Sequence, residues 1–551
     1  MDQGNKPPEF EFGLVMAGAI SAGAYTAGVI DFLLEALDAW EAAKADPAAE
    51  VPRHGLRLRV LSGASAGAMT SAITTVSLGS VVDPVHDVAN PPPPERNRLF
   101  DAWVNQIDIS RLLTTTDIDK SKKAISLLDS TALGTIANDA LVTERRGQPR
   151  SYVDDPLAVF LTVANLRGVP YDFQLFGSSS NAGYGMYEHM DHMAFAVSTT
   201  GKVSPGSLAL NPADAPQGGW PVLATAALAS GAFPGGLAPR LLERDWNDYG
   251  ARHNRAPLWR PPAGSSYRFL CVDGGLMNNE PFELARRYLA GQDLHNPREG
   301  PYARRAVILI DPFPNRADFR EPIEPDDRLV SVISQMFGAL ISQARFKPEE
   351  LNLAADENVY SRFAISPSRK RRDGSPADPA IASGILGGFG GFLHRSFREH
   401  DFQLGRRNCQ AFLRWHFCLP VSNPLFAGVD SGIVQDFCVR DRKGEIHLFK
   451  DSKFPTEPFL PIIPLVGSAE PSAPTPPPPS GAVVNQAQLR KSIKRRVGKF
   501  GAALADNDLR SLLGGIVPWI VARAWDWYLA GKVTDKAMDK IRGELARLNE
   551  R

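Results

Sequence analysis

The stretch that decides the fold is SGASAGA, residues 62–68, which contains the pattern G-x-S-x-G around Ser65. An apolar segment at 57–62 precedes it and a helix-like segment follows, so the pattern lies at a strand-to-helix turn. Gly63 and Gly67 remove side chains that would clash in such a sharp turn, and the turn exposes the serine hydroxyl. The N-terminus of the following helix would face an anion formed beside the serine. A small-residue loop that only packs a helix on a sheet is the alternative, but the strand–helix context favours a nucleophilic serine.

Strand-like and helix-like segments alternate around this turn. The strand candidates are 12–16, 57–62, 158–164, 267–272 and 305–310, and the helix-like segments are 24–43 and 66–77. Each of these strands ends at a polar or glycine-containing loop, where α/β proteins place their chemistry. The alternation predicts an α/β fold with a mostly parallel sheet.

A serine nucleophile needs a base, and the best candidate is Asp273. It follows the apolar strand 267–272 and precedes Gly274 and Gly275, which open a tight turn; Asn and Pro at 278–281 then signal the start of a helix. Taken alone, an aspartate here also suits a turn that caps its own loop. Beside the serine motif, Asp273 is predicted to be the base.

A Ser-Asp-His triad is the competing arrangement, and it would draw its histidine from the late positions His416 or His447. It is disfavoured because only one strand candidate precedes Ser65, whereas the α/β-hydrolase fold places several strands before its nucleophile.

The oxyanion stabiliser is predicted in the small-residue loop that follows the first strand. Gly18, Ala19 and Ile20 would direct backbone N–H groups at a developing anion, and Gly23 lies where the loop opens a helix. A dinucleotide-binding G-x-G-x-x-G loop is the competitor. Ile20 occupies the middle glycine position of that pattern, and no acidic residue ends a second strand at the expected distance, which disfavours a nucleotide cofactor.

These three motifs, in this order and over about residues 10–315, resemble those of the patatin-like phospholipase family; the segment AALASGAFP at 226–234 also looks like that family. The resemblance implies a patatin-like three-layer α/β/α fold and hydrolysis of acyl esters of phospholipids or lysophospholipids, without a metal or another cofactor. It implies a Ser-Asp dyad formed by Ser65 and Asp273, with the oxyanion held by N–H groups around Gly18, Ala19 and Ile20.

The oxyanion loop departs from the family pattern Gly-Gly-Gly-x-Arg/Lys-Gly. It reads GAISAG at 18–23, so that Ala22 stands where the family has a cation, and it looks more like a divergent bacterial patatin-related group. A non-catalytic patatin-fold protein that binds lipid or acts as a scaffold is therefore the alternative function.

Length and composition limit the other classes of function. The 551 residues suggest three or four domains at about 150 residues each, and 43% hydrophobic with 22% charged residues excludes a wholly disordered chain. The formal net charge of zero argues against a nucleic-acid partner. The predicted division is a catalytic domain at 10–315, a mainly helical extension at 316–468, a proline-rich linker at 469–483, and a basic helical segment at 484–551.

The basic segment 484–551 holds 14 Lys and Arg against 7 Asp and Glu, and its aromatic residues cluster at 519–528. This combination suits peripheral contact with an anionic membrane, and it equally suits a helical hairpin packed on the protein body, so both interpretations stay open. With no signal peptide and no uninterrupted apolar run of about 18 residues, the expected location is the cytoplasm, with peripheral membrane contact.

Overall fold

The computed structural model describes residues 8–144, 150–173, 184–250, 265–313, 358–505 and 530–549, apart from 372, 442 and 452, together with isolated positions between 327 and 356. Its strands are β1 Glu9–Met16, β2 Gly55–Gly63, β3 Val153–Phe173, β4 Tyr184–Val197, β5 Leu208–Leu210, β6 Arg240–Asp245, β7 Ser266–Asp273, β8 Arg305–Ile310, β9 Arg362–Ile365, β10 Cys418–Pro420, β11 Leu448–Phe449 and β12 Glu457–Pro461. Its helices of nine or more residues are α1 Gly23–Ala45, α2 Ala66–Leu78, α3 Thr131–Leu141, α4 Trp220–Ser230, α5 Phe282–Ala290, α6 Arg395–Trp415, α7 Gln486–Leu504 and α8 Ala530–Asn549.

Nine strands form one sheet in the described part of the chain. Seven follow the order β5-β4-β3-β2-β1-β8-β9, while β7 pairs with β3 and β6 pairs with β7. The pairs β1–β2, β1–β8, β2–β3, β8–β9 and β4–β5 are parallel, and the pairs that join β3 to β4, β3 to β7 and β6 to β7 are antiparallel. The prediction of an α/β fold with a mostly parallel sheet is confirmed.

Helices cover both faces of this sheet. Along β1, Leu14 and Met16 belong to the core under α1 and α2, whereas Val15 belongs to a separate core with Phe282 and Leu289 of α5. Successive side chains of a strand point to opposite faces, so β1 is apolar on both sides and the sheet lies between two helical layers.

The route of β7 positions the candidate site. On one edge of β3, Gly63 of β2 pairs with Leu161 in parallel, and two residues further along Asp273 of β7 pairs with Val163 in antiparallel orientation. The opposite edge of β3 is occupied by β4 at both positions. The carboxyl ends of β2 and β7 therefore meet end to end, although hundreds of residues separate them in the chain.

One described helical stretch, Ile20–Ala45, is long and apolar enough to cross a membrane by length and composition, and 94% of its apolar window is buried inside the protein. A helix was predicted here at 24–43 but not as a membrane span, because Asp31 and Glu35 interrupt its apolar residues. Both carboxylates form ion pairs with the buried Arg406 of α6, so the interior position of the helix accounts for its composition.

Residues 316–468 contribute strands as well as helices to the described structure. β9 extends the central sheet, α6 packs along α1, and β10, β12 and β11 form a separate sheet. Most of the first part of this predicted extension, residues 316–357, lies outside the described residues. The domain boundaries stay a prediction.

The proline-rich segment 469–483 is attached to α6 rather than separated from it. The Gln410 amide donates to the carbonyl of Pro471 at 2.7 Å and accepts the N–H of Ala473 at 2.8 Å. Beyond it, α7 and α8 pack together, and their apolar residues join a small core with Ile385 and Phe397. The aromatic cluster at 519–528 lies outside the described residues.

Candidate active site

Ser65 lies in strained backbone geometry between β2 and α2. Its φ of 52° and ψ of −125° fall in a region that side-chain-bearing residues rarely adopt. The turn is tight enough to require both neighbouring glycines: a Cβ on Gly67 would lie 2.0 Å from the Met16 carbonyl oxygen, and one on Gly63 would lie 2.5 Å from the Gly67 carbonyl oxygen. The structure thus places the G-x-S-x-G pattern at a strand-to-helix elbow.

The Ser65 hydroxyl donates a hydrogen bond to Asp273 Oδ2 at 2.7 Å. The second carboxylate oxygen accepts the N–H of Gly275 at 2.7 Å. Burial raises the pKa of Asp273 from 3.8 to about 6, and the hydrogen bonds from Ser65 and Gly275 act in the opposite direction. Gly274 lets the turn approach β3, because a Cβ there would lie 2.2 Å from the Thr162 carbonyl oxygen.

Ser230, which the sequence analysis did not single out, fixes the backbone of the elbow. Its hydroxyl accepts the N–H of Ser65 at 2.9 Å, and the carbonyl of Ala232 accepts the N–H of Asp273 at 2.9 Å. Ser230 and Ala232 lie in the segment 226–234. Its resemblance to the patatin-like family was the only sequence signal that could have indicated a role in the site. This segment therefore holds the serine and the aspartate in register with each other.

The predicted oxyanion loop reaches the same cavity as Ser65 and Asp273, which is lined by Gly18, Ala19 and Ile20. The N–H of Gly18 is already donated to the Asn279 carbonyl at 3.2 Å. Within the described structure, no acceptor is paired with the N–H groups of Ala19 and Ile20, and Ile20 has a positive φ of 48°. The assignment of these amides to an oxyanion stays a prediction.

Gly23 lies one turn further on and serves packing instead. A Cβ there would lie 2.3 Å from the ring of Trp103. This glycine lets α1 begin against an aromatic side chain.

Two further polar side chains support the loop and were missed as site residues. Asn279, interpreted from the sequence as a helix-start signal, lies so close that a Cβ on Gly18 would be 2.2 Å from its Oδ1. The Ser21 hydroxyl donates to the Gly388 carbonyl at 2.5 Å and accepts the N–H of Gly391 at 3.0 Å. The glycine-rich segment 384–391 thereby forms a wall of the site.

Ser65 lies between an open, partly polar cavity and a narrow apolar one. The open cavity is lined by the predicted oxyanion loop, Asp273, Asn279 and the glycine-rich wall. On the other side of Ser65, a narrow cavity is lined mainly by apolar side chains, namely Ile20, Met69, Trp103, Ile107, Leu112, Leu128, Leu133, Phe233, Leu237, Phe389 and Phe392. A further narrow apolar cavity shares four of these residues and is also lined by Ile136 and Leu141.

The histidines of the competing triad lie elsewhere. His416 and His447 are both exposed, His447 stacks on Phe459 at 5.1 Å, and none of the histidines in the described ranges lines the cavities around Ser65. In the same ranges, no group of three His, Cys, Asp or Glu side chains is arranged to hold a metal ion.

The fold and the site together define an α/β protein with a serine–aspartate pair at the carboxyl ends of two strands. The chain is 36% identical over 531 residues to a protein of Sinorhizobium fredii (strain NBRC 101917 / NGR234) named Uncharacterized protein y4iI, and the match covers 86% of this chain and 73% of that protein. The chain therefore belongs to the same family as that protein.

The remaining comparisons add little to this assignment. No protein-family model matches the chain, so membership of the patatin-like family stays a prediction. Among solved structures, the crystal structure of VipD from Legionella pneumophila is similar at 11% identity and a TM-score of 0.23, with 98% of this chain and 88% of that chain covered. That score is too low to support an argument about fold or function.

Proposed function

We propose that this protein is a serine lipid acyl hydrolase, of the phospholipase or lysophospholipase type, that hydrolyses acyl esters with a Ser65–Asp273 dyad. The single observation that carries the proposal is the 2.7 Å hydrogen bond from the Ser65 hydroxyl to Asp273 at the junction of an open cavity and an apolar one. A buried carboxylate within this distance of a serine hydroxyl is positioned to take its proton.

In the proposed reaction, Ser65 Oγ attacks the ester carbonyl while its proton passes to Asp273 Oδ2. The tetrahedral oxyanion is stabilised by the N–H groups of Ala19 and Ile20 at the positive end of the adjoining helical turns. The proton then passes to the leaving alcohol, which leaves an acyl ester on Ser65. Water enters, gives a proton to Asp273 and attacks the acyl group, and the fatty acid departs as the proton returns to Ser65.

The raised pKa of Asp273 suits this role. A carboxyl group with a pKa of about 6 is still mostly ionised at pH 7, yet it is a stronger base than an ordinary aspartate. No histidine is required between the two residues, because the direct hydrogen bond already connects the base to the nucleophile.

The apolar cavities support a lipid as the acyl donor. An acyl chain extending from the ester carbonyl at Ser65 would contact Leu133, Leu237 and Phe392 and would displace little bound water, because the lining offers few polar groups. The polar part of the substrate would remain in the open cavity, against Asn279 and the glycine-rich wall.

Hydrolysis of a soluble nitrophenyl ester tests the proposal, together with labelling by a fluorophosphonate. The wild-type chain should hydrolyse the ester and take up the label on Ser65, and both Ser65→Ala and Asp273→Asn should lose hydrolysis. Ser110→Ala is a matched control, since it removes a serine hydroxyl outside the residues that line these cavities. Full activity in Ser65→Ala would contradict the assignment.

A non-catalytic protein that binds lipid or acts as a scaffold is the second candidate. The observation that favours it is the engagement of the Gly18 N–H by the Asn279 carbonyl, which removes one donor from the oxyanion site, in a loop that also has Ala22 in place of the family's cation. A chain that binds fatty acid but takes up no fluorophosphonate would support this function and exclude the hydrolase.

A further inference from the structure

A surface segment at 120–127, which begins at the end of a short helix at Thr116–Ser121 and which we call the rim loop, carries three exposed lysines close together in sequence. Lys120, Lys122 and Lys123 all project from it. Such a cluster of cations raises the local concentration of anions at this surface.

The same loop exposes two large apolar side chains. Ile125 is 47% exposed and Leu127 is 48% exposed. The next residue, Leu128, lines the apolar cavity beside Ser65. The N–H groups of Leu127 and Leu128 donate to the carbonyls of Gly235 at 2.7 Å and Gly236 at 2.9 Å. The rim loop is therefore attached directly to the wall of the cavity.

The C-terminal segment holds the rim loop in place through Arg496 of α7. This buried guanidinium donates to the carbonyl oxygens of Leu127 at 3.0 Å and Ser126 at 2.8 Å, and it forms a bidentate ion pair with Asp117. Several charge-assisted hydrogen bonds to one side chain give the loop a defined conformation. Its apolar side chains are thus presented by a rigid support.

We propose that the rim loop is the surface by which this protein docks on a bilayer containing anionic phospholipid. Its lysines match the negative surface potential, and Ile125 with Leu127 would enter the boundary between headgroups and acyl chains. The proposal rests on the proposed function. Because the rim loop is attached to the wall of the cavity, docking would give a lipid acyl chain a short apolar route from the bilayer to Ser65.

The basic face of α7 is a different surface and provides the comparison. Lys491 and Lys494 are exposed on that helix. At about 100° per residue they point some 140–160° away from Arg496, which faces the rim loop. A membrane contact made by the C-terminal segment itself, as its composition predicts, would depend on these lysines rather than on the rim loop.

The test uses the full chain carrying Ser65→Ala, so that lipid is not consumed, in flotation with two kinds of vesicle. One kind is phosphatidylcholine alone, and the other is phosphatidylcholine with phosphatidylglycerol. Two rim variants are compared with this parent: Lys120→Glu with Lys123→Glu, and Ile125→Ser with Leu127→Ser. The control, Lys491→Glu with Lys494→Glu, changes the net charge by the same amount as the first rim variant. Circular dichroism verifies that each variant is folded.

The parent should bind the anionic vesicles, and the control should bind them like the parent. The variant Lys120→Glu with Lys123→Glu should bind them at least about tenfold more weakly. The variant Ile125→Ser with Leu127→Ser should also lose affinity. Failure of the parent to bind, unchanged binding in both rim variants, or loss confined to the control would each overturn the proposal. Ester hydrolysis by the wild-type chain is measured separately: if it is absent while docking is intact, the proposed function fails and the docking surface stands.

Discussion

Replacing Asp273 by Asn should abolish hydrolysis and at the same time stabilise the fold at neutral pH. Asn keeps the size of the side chain but carries no charge. Its carbonyl oxygen can accept the N–H of Gly275, and its NH2 group can donate to the Ser65 hydroxyl. The folded-state pKa of Asp273 is raised from 3.8 to about 6 by burial, so the ionised carboxylate is less favourable in the folded chain than in the unfolded one.

The magnitude and its sign follow from this shift. Below pH 3.8 the carboxyl is protonated in both states and does not penalise folding. As the pH rises through about 6 the folded state must also lose the proton, and the penalty reaches its full value. A shift of about two pKa units corresponds to about 3 kcal/mol at pH 7 and to roughly half of that at pH 5.

The assay is urea denaturation of wild type and Asp273→Asn at pH 7, pH 5 and pH 4, followed by tryptophan fluorescence. The gain in the free energy of unfolding should be largest at pH 7 and should nearly vanish at pH 4. Asp191→Asn is a matched control: this buried aspartate accepts a hydrogen bond from the Tyr249 hydroxyl at 2.7 Å and lies 3.6 Å from Arg244. That substitution should destabilise, since it leaves the buried Arg244 with only the partly exposed Asp248 as its counter-charge. A pH-independent loss of stability in Asp273→Asn would refute the reasoning.

Three further predictions concern the same machinery. The kcat/KM for a soluble ester should rise with pH and level off above an apparent pKa of about 6, because only ionised Asp273 can take the serine proton; a rate independent of pH between 4 and 8 would contradict this. Leu133→Trp should fill the apolar cavities that this side chain helps to line. It should therefore lower kcat/KM for long-chain esters about tenfold relative to short-chain esters. An equal loss for both esters would show that the substrate's acyl chain does not bind in these cavities. Arg496→Met should destabilise the chain by about 3 kcal/mol or more in urea denaturation, since it leaves Asp117 without its partner, and a neutral result would show that the ion pair contributes little.

The strands and helices near the motifs were predictable because their signals are local. The helix predicted at 24–43 is α1 at Gly23–Ala45, and the one predicted at 66–77 is α2 at Ala66–Leu78. Apolar runs that end at glycine-rich turns mark strands wherever the chain passes through a sheet covered on both faces. The elbow was predictable for the same reason, because the small residues that indicate a tight turn all lie within a few positions of Ser65.

The supporting residues of the site could not be predicted in this way. Ser230 contacts Ser65 across 165 positions, and Ser21 contacts Gly388 across 367. The residues adjacent to such a serine in the sequence do not indicate which distant residue it contacts, so it cannot be distinguished from other serines in small-residue segments. The glycine-rich stretch at 384–391 carried no sign that it would fold against the oxyanion loop.

The basic C-terminal segment shows a different limit of sequence reasoning. Its composition predicts a membrane-facing surface, yet the described structure buries Arg496 and uses it to hold the rim loop. Charge counts do not distinguish a solvated cation from one that is paired in the interior, because that difference depends on which carboxylates and carbonyls the fold brings near.

By itself, the sequence determined that this protein is an α/β protein with a serine elbow, a small-residue loop and an aspartate turn, because periodicity and turn chemistry act over a few residues. Only the tertiary structure decided that the serine and the aspartate, 208 positions apart, form one hydrogen-bonded pair. The physical reason is the antiparallel placement of β7 on the edge of β3 beyond the end of β2. That arrangement is set by the packing of the whole sheet, and it brings two separate strand ends to a single point beside an apolar cavity.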